Sequence, residues 1–378
     1  MDCEITRRDY KEAFKHILFF FVSTRIILTI IGVISRILLV EKYRRRYQQL
    51  FTDRIWLNIW TGDSTLMYMR VAKDWYPACV DCLQLKHYAF SPLYPLTMRI
   101  LETVTKNYFT AGFIVSNISI IISAYYLYKI VRLKDNHETA LRSVKYLFVF
   151  PAAFMLSAVH TEALFLTLLL MTFYYAKLGR WWLAGFTGFL LALTRIQGAF
   201  TIIPLLYIYL DQRNFSLKNI DFKILYVGLI GLGLVATMVY SHQLTGDYFT
   251  FIHAKQKFFG HEISNPVTIL GDSLQDPSID YFINGWVTVI AIVFLIVFHR
   301  KIENSYLLLA LILIIIPLIG GLSSVKGMAR FILVIFPFFI ILAHMGENKR
   351  IDELMTITFA LLQGFLMALW ATRFNIIL

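Results

Sequence analysis

The sequence has little charge and almost no cysteine. Of 378 residues only 16% are charged against 58% hydrophobic, at a mean hydropathy of +0.64, which excludes an ordinary soluble globular domain. Cys3, Cys79 and Cys82 are the only cysteines, too few for a disulfide framework. "CVDC" at 79–82 has no second CxxC to complete a zinc site, which leaves a local disulfide, a redox pair, half a metal site or two bystander thiols open. There is no P-loop, no glycine-rich nucleotide fingerprint, no low-complexity tract and no internal repeat. A membrane enzyme or pump so equipped must draw its free energy from an ion gradient or from an activated, membrane-soluble donor. Neither a metal nor a cofactor is expected.

What the chain has is apolar length. Runs lie near 14–40, 109–130, 142–159, 162–177, 181–199, 200–210, 223–241, 284–299, 305–322, 330–345 and 354–372. Since a helix needs roughly 20 apolar residues to cross a bilayer, they predict an all-α polytopic membrane protein with about ten or eleven transmembrane helices. It is expected to form one integral-membrane domain over residues 1–378. The stretch 181–210, which carries Arg195 and Pro204, reads as one crossing plus a re-entrant or broken helix. The N-terminal "MDCEITRRDYKEAFKH" is charged for too long to be a cleaved signal, so the first apolar segment should stay as a transmembrane helix.

The net charge of +12 does not indicate nucleic acid, because the Lys and Arg residues are scattered over short loops. With the N-terminus in the cytoplasm, "RLKDNHETALR", "KLGR", "DQRNFSLKN", "HRKIEN" and "GENKR" obey the positive-inside rule. The 41–108 loop, "SAVHTE", "TRIQG", the 242–283 loop and "SSVKGMAR" then share the opposite, external face. In the first external loop, Leu50, Phe51, Ile55, Ile59 and Trp60 recur at helical spacing and predict an interfacial helix over Tyr47–Trp60. Gly62 would end it, and Asp63 or Ser64 would cap a second helix with Met67, Val71 and Trp75 on one face. Pro92 and Pro95 in "YAFSPLYP" predict a rigid turn or re-entrant segment. In the second loop, aromatics alternate with His253, Lys255, Lys257 and His261, a pattern that suits another interfacial helix. The sequons at Asn117 and Asn214 fall inside a span and on the cytoplasmic side, where no glycosylation is expected.

Polar residues that topology does not explain gather on the external face: Asp63, His160, Glu162, Arg195, Gln197, Lys326 and Arg330. A carboxylate able to accept a hydroxyl proton, beside cations able to stabilise a departing phosphate, suits transfer from a lipid phosphate without a metal. Each residue also has a plainer reading. Asp63 is placed to cap a helix, and Asp53 and Asp74 are rival carboxylates in the same loop. Glu162 suits a helix N-terminus, and His160 a local hydrogen bond. Lys326 and Arg330, like Arg25 and Arg36 of the first span, suit snorkelling. Arg195, inside an apolar segment, needs water or a partner. Tyr88, Phe90 and Tyr94 fit either an interfacial belt or the lining of a groove for a sugar or prenyl chain.

These motifs also resemble a known family. "DSTLMYMRVAKDWY" followed by "YAFSPLYPL", then "LSAVHTEALF", "LALTRIQG", "GDYFTFIHAKQKFFG" and "ARFILVIFPFF", are similar in order to the signatures of PIG-V, the second mannosyltransferase of glycosylphosphatidylinositol assembly, and its bacterial and archaeal relatives. The family's Trp-Asp pair is "WTGD" here, its second Phe of "AFFPLYP" is Ser91, and the Tyr of its "YSE" or "YTE" is His160. The resemblance implies a GT-C type glycosyltransferase that takes a sugar, mannose above all, from a polyprenyl or dolichyl phosphate and passes it with inversion to a lipid-linked or surface glycan acceptor. It makes Asp63 the base, and Glu162 and Arg195 the matching "TE" and "TR" positions. Its implied partners are that donor, the acceptor, membrane lipids and a small membrane subunit. The chain length favours a prokaryotic relative in the cell membrane, the endoplasmic reticulum membrane being the eukaryotic equivalent. Two other classes stay open: a lipid or glycan transporter or flippase, and a non-catalytic subunit of a glycosylation complex.

Overall fold

The computed structural model describes residues 7–39, 51–62, 64–78 and 83–372, and every regular element among them is helical. The chain begins with α1 (Arg7–Leu39) and passes through the first long loop, which carries α2 (Ile55–Asn58), α3 (Thr65–Asp74) and α4 (Leu93–Thr105). The body follows as α5 (Tyr108–Val131), α6 (His137–Val149), α7 (Glu162–Lys177), α8 (Trp181–Thr194), α9 (Ile202–Asp211) and α10 (Ile224–Thr245). The second long loop holds α11 (Thr250–Phe259) and α12 (Pro266–Gln275). Then come α13 (Ile279–Phe298), α14 (Asn304–Ile319), the short α15 (Leu322–Val325) and α16 (Met328–Leu333), α17 (Pro337–Met345) and α18 (Lys349–Ala371).

Among the described residues, five helical stretches are long and apolar enough to cross a membrane unaided: α1, α5, α10, α13 with the turn after it, and α18. The remaining apolar runs became shorter helices, among them Trp181–Thr194, Ile196–Asp211 and Asn304–Ile319. Burial sorts these elements. α7 is apolar all round and buries most of its residues, the signature of a central helix, and α17 is buried almost end to end. α1 and α18 bury one narrow stripe each and expose Phe19, Leu38, Leu361 and Phe365, as helices in contact with lipid do. They pack together where Gly32 and Gly364 let Met367 and Ile31 approach.

Three predicted runs are interrupted, and the interruptions carry the polar motifs. The run 142–159 stops as an α-helix at Val149 and continues as a buried 3-10 turn, Ala153–Ser157. α8 ends at Arg195, whose extended backbone leads into a second 3-10 turn, Ile196–Thr201. α14 contains Pro317 and ends at Gly320; Gly321, at φ 84°, then redirects the chain into α15, a conformation that favours glycine.

Backbone without helical bonds must find partners when it is buried, or it costs free energy at every orphaned group. Around the first break, side chains from four helices supply them. Gln363 Nε2 donates to the Phe148 and Phe150 carbonyls at 2.9 and 3.0 Å. Arg25 reaches Ser157 Oγ at 2.7 Å and the Ala153 carbonyl at 3.2 Å. Asn117 Nδ2 donates to the Ser157 carbonyl, and Ser116 Oγ to that of His160, both at 3.3 Å. Thr65 Oγ1 donates to the Val159 carbonyl at 3.4 Å. Arg25 is therefore a buried donor and not a snorkelling residue, and Asn117 holds the fold.

The first long loop departs from expectation. The amphipathic helix over Tyr47–Trp60 falls partly outside the described residues, and the described part forms only the four-residue α2. Leu57, Ile59 and Trp60 are buried, whereas Ile55 and Trp56 are exposed. α3 forms as expected and buries Met67 and Val71, with Ser64 at its N-cap position making no side-chain capping bond. Pro92 and Pro95 do not form a turn: Pro92 is the N-cap and Pro95 lies in the first turn of α4, where a missing N–H costs nothing. α11 and the 3-10 turn Leu83–Ala89 join the two long loops through a small core that includes Val71, Tyr76, Tyr88, Phe90 and Ala254.

Candidate active site

The three breaks meet at Glu162. This residue opens α7 and is 2% exposed. Its Oε1 accepts a hydrogen bond from Arg195 Nη1 at 3.3 Å and lies 4.0 Å from Arg330 Nη1. Its Oε2 lies 3.7 Å from His160 Nδ1. Arg330 Nη1 also donates to His160 Nδ1 at 3.2 Å; because guanidinium only donates, Nδ1 is the acceptor in this contact, and the other ring nitrogen is Nε2. That nitrogen lies against Gly62, where a Cβ would overlap it and come 2.8 Å from Trp370. Only glycine lets the chain pass here. Tyr68 of α3 packs edge-on to His160 at 6.0 Å between centroids and reaches Thr161 Oγ1 at 3.4 Å. Arg195 is held from the other side by the Phe331 ring, 4.7 Å from its guanidinium carbon.

Beside this cluster a cavity of about 350 Å³ opens between α8, α10, α11 and the first loop, large enough for a ligand site. Its aromatic walls present rings and turn their polar atoms aside. Tyr76 Oη donates to the Phe90 carbonyl at 2.6 Å, Tyr88 Oη to that of Pro77 at 2.8 Å, and Trp75 Nε1 to Tyr240 Oη at 2.7 Å. Trp75 adopts φ 64°, a strained position for a bulky residue of the kind found at functional sites. Among the described residues, Lys255 of α11 brings a cation to the groove. Burial, and then the charge of Arg195, push its ammonium down to about 8. His261, just beyond α11, is lowered to about 4 by burial and then by Lys255.

The expected site residues divide accordingly. His160, Glu162, Arg195 and Arg330 come together, and Tyr88 and Phe90 line the groove. Tyr94 does not: it is fully buried behind Tyr68, bonded to Ser116 Oγ at 2.8 Å and to the Gly112 carbonyl at 3.1 Å. Lys326 pairs with Asp280 at 2.9 Å and lies over the Tyr281 ring. Gln197 lines a small recess with Arg195, Phe165 and Phe331. Asp63 lies outside the described residues, as do all three cysteines, Cys3, Cys79 and Cys82. Its rivals Asp53 and Asp74 are exposed. Sequence reasoning marks Lys255 only as part of the aromatic–cation alternation of an interfacial helix and gives no site role to it, to Tyr68 or to Tyr240; that alternation was the available signal.

Residues 89–240 match the profile of the family described as dolichyl-phosphate-mannose-protein mannosyltransferase. The match spans about two fifths of the chain and includes Phe90, His160, Glu162, Arg195 and Tyr240. It supports a GT-C type glycosyltransferase at the level of that broad class. No curated protein matches the chain. Among solved structures, an oligosaccharyltransferase from Archaeoglobus fulgidus tethered to an acceptor peptide aligns at 12% identity and a TM-score of 0.44, covering 94% of this chain and 56% of that one. Archaeal oligosaccharyltransferase AglB from the same organism, with an inhibitory peptide and a dolichol-phosphate, aligns at 11% and 0.39, covering 95% and 55%. The chain thus spans little more than half the length of these relatives.

Proposed function

We propose that this chain is a membrane glycosyltransferase that moves a mannose, or a related hexose, from a polyprenyl or dolichyl phosphate to a lipid-linked or surface glycan hydroxyl, with inversion. The observation that carries the reading is the carboxylate and two guanidinium groups at Glu162, Arg195 and Arg330, set beside an apolar groove that contains Lys255. The family match over residues 89–240 supports it. The prenyl chain would lie along Tyr88, Phe90 and Tyr240, with its phosphate at Lys255 and Arg195. Asp63, next in sequence after Gly62, would accept the proton of the acceptor hydroxyl. The hydroxyl oxygen attacks the anomeric carbon, the bond from that carbon to the phosphate oxygen breaks, and the electron pair leaves on the polyprenyl phosphate. Lys255 and Arg195 stabilise that charge as it develops. Glu162 keeps the guanidinium groups in place; with both oxygens facing cationic or imidazole neighbours, it is a positioning residue and not a base.

A transporter would place its charges near mid-membrane in two related halves. Here Arg195 follows the end of α8 and Glu162 begins α7, which favours chemistry at one face. The test is incubation of purified wild type and Asp63→Asn with radiolabelled dolichyl-phosphate mannose and membrane lipids. Wild type should transfer label and Asp63→Asn should lose at least a hundredfold. Absence of transfer by wild type from any polyprenyl donor overturns the enzyme reading; full activity of the variant overturns Asp63 as base.

A further inference from the structure

The end of the molecule remote from Glu162 holds a second cavity, of about 330 Å³, between the ends of α5, α7, α14 and α17. Glu162 and Lys177 are the first and last residues of α7, so one helix length, roughly 24 Å, separates the two sites. The rim of this cavity is charged, and its charges do not cancel. Glu303 is contacted by Lys177 and, at 3.8 Å, by Lys134, while Asp135 pairs with His344 at 2.8 Å. Lys301 stands on the same rim and is exposed. Two carboxylates, Glu303 and Asp135, thus share the rim with three ammonium groups, of which Lys134 and Lys177 contact Glu303, and the side chain of Lys134 is 69% exposed at the mouth.

The floor differs in kind from the rim. Ile302, Tyr306 and Ile340 line it, which a small hydrated anion would not use but the glycerol or first methylenes of an amphiphile would cover. A surplus of cations over an apolar floor at the end of a transmembrane bundle matches a phosphate with a hydrocarbon attached. We propose that this cavity binds the phosphate group of an anionic amphiphile, with the phosphate on Lys134, Lys177 and Lys301 and the glycerol region on Ile302 and Ile340. The site is separate from the glycosyl-transfer centre and does not depend on that assignment. Lys177, held by Glu303, fixes the depth of the phosphate, and the two outer lysines close over it.

The full-length chain, purified in neutral detergent, can be titrated with phosphatidic acid, with phosphatidylcholine and separately with inorganic phosphate, retained ligand being counted by native mass spectrometry. Wild type, the double variant Lys134→Ala/Lys301→Ala and the remote control Lys218→Ala are compared, with the thermal midpoint confirming that each folds. Phosphatidic acid should bind wild type and the control at least tenfold more tightly than the double variant, and tenfold more tightly than inorganic phosphate binds wild type. Equal retention by the double variant overturns the site. Inorganic phosphate binding wild type as tightly as phosphatidic acid overturns the amphiphile and leaves a free-phosphate source. Phosphatidylcholine binding as well as phosphatidic acid overturns the requirement for a net anion.

Discussion

Lys255 shows how far a single side chain depends on its neighbours. Its ammonium is lowered to about 8 by burial and by the charge of Arg195, with His261 also facing it, so the free site loses this cation as pH rises through that value. The specificity constant for donor should therefore fall above pH 8. The limb should move to higher pH in kcat, because bound phosphate favours the charged lysine. Lys255→Arg should abolish the limb, and a pH profile of transfer from pH 6 to 10 would show it. Glu162→Gln leaves Arg195 and Arg330 without their common counter-charge in a site where the carboxylate is 2% exposed, and should cost about 3 kcal/mol of stability. A lowered thermal midpoint in detergent is the readout. Gly62→Ala should cost about 1–3 kcal/mol through overpacking, because the new methyl meets His160 and Trp370. The same melt, with transfer measured in parallel, would resolve it.

At the scale of elements, the interrupted helices are the working parts. The break between α6 and α7 persists because Gln363, Arg25, Asn117, Ser116 and Thr65 satisfy its carbonyls. Gln363→Leu removes the donor to two of them and should destabilise the protein by about 1–3 kcal/mol, while Leu362→Gln on the exposed face of α18 should change the thermal midpoint much less. Sequence gave fair notice of these elements. The run 162–177 coincides with α7, and all but one residue each of 223–241 and 354–372 fall within α10 and α18. Helical period could not show that 142–159 would stop at Val149, since its apolar character continues unbroken and the stop depends on donors up to 215 residues away. The prolines of "YAFSPLYP" misled in the opposite sense, because the rule against proline in helices does not apply to the first turn.

Across the whole molecule, one prediction concerns topology. With the native cysteines replaced by serine, single cysteines at Lys257 and Lys326 should react with a membrane-impermeant maleimide from one side of sealed vesicles. Single cysteines at Lys218 and Lys349 should react only from the other. Reaction of all four from one side would overturn the proposed orientation. Composition and run length by themselves determined that the chain is helical and polytopic, because a segment of that apolar length in lipid must satisfy its backbone internally. They also marked His160, Glu162, Arg195 and Arg330 as unusual, because charge inside apolar sequence requires a partner. Which partner, the tertiary structure alone decided. Only the packing of three broken helices sets Arg195 and Arg330 on the same carboxylate, seals Tyr94 behind Tyr68, pairs Lys326 with Asp280 and brings Lys255 from a distant loop into the groove, because these are contacts between segments whose separation along the chain leaves no periodic trace.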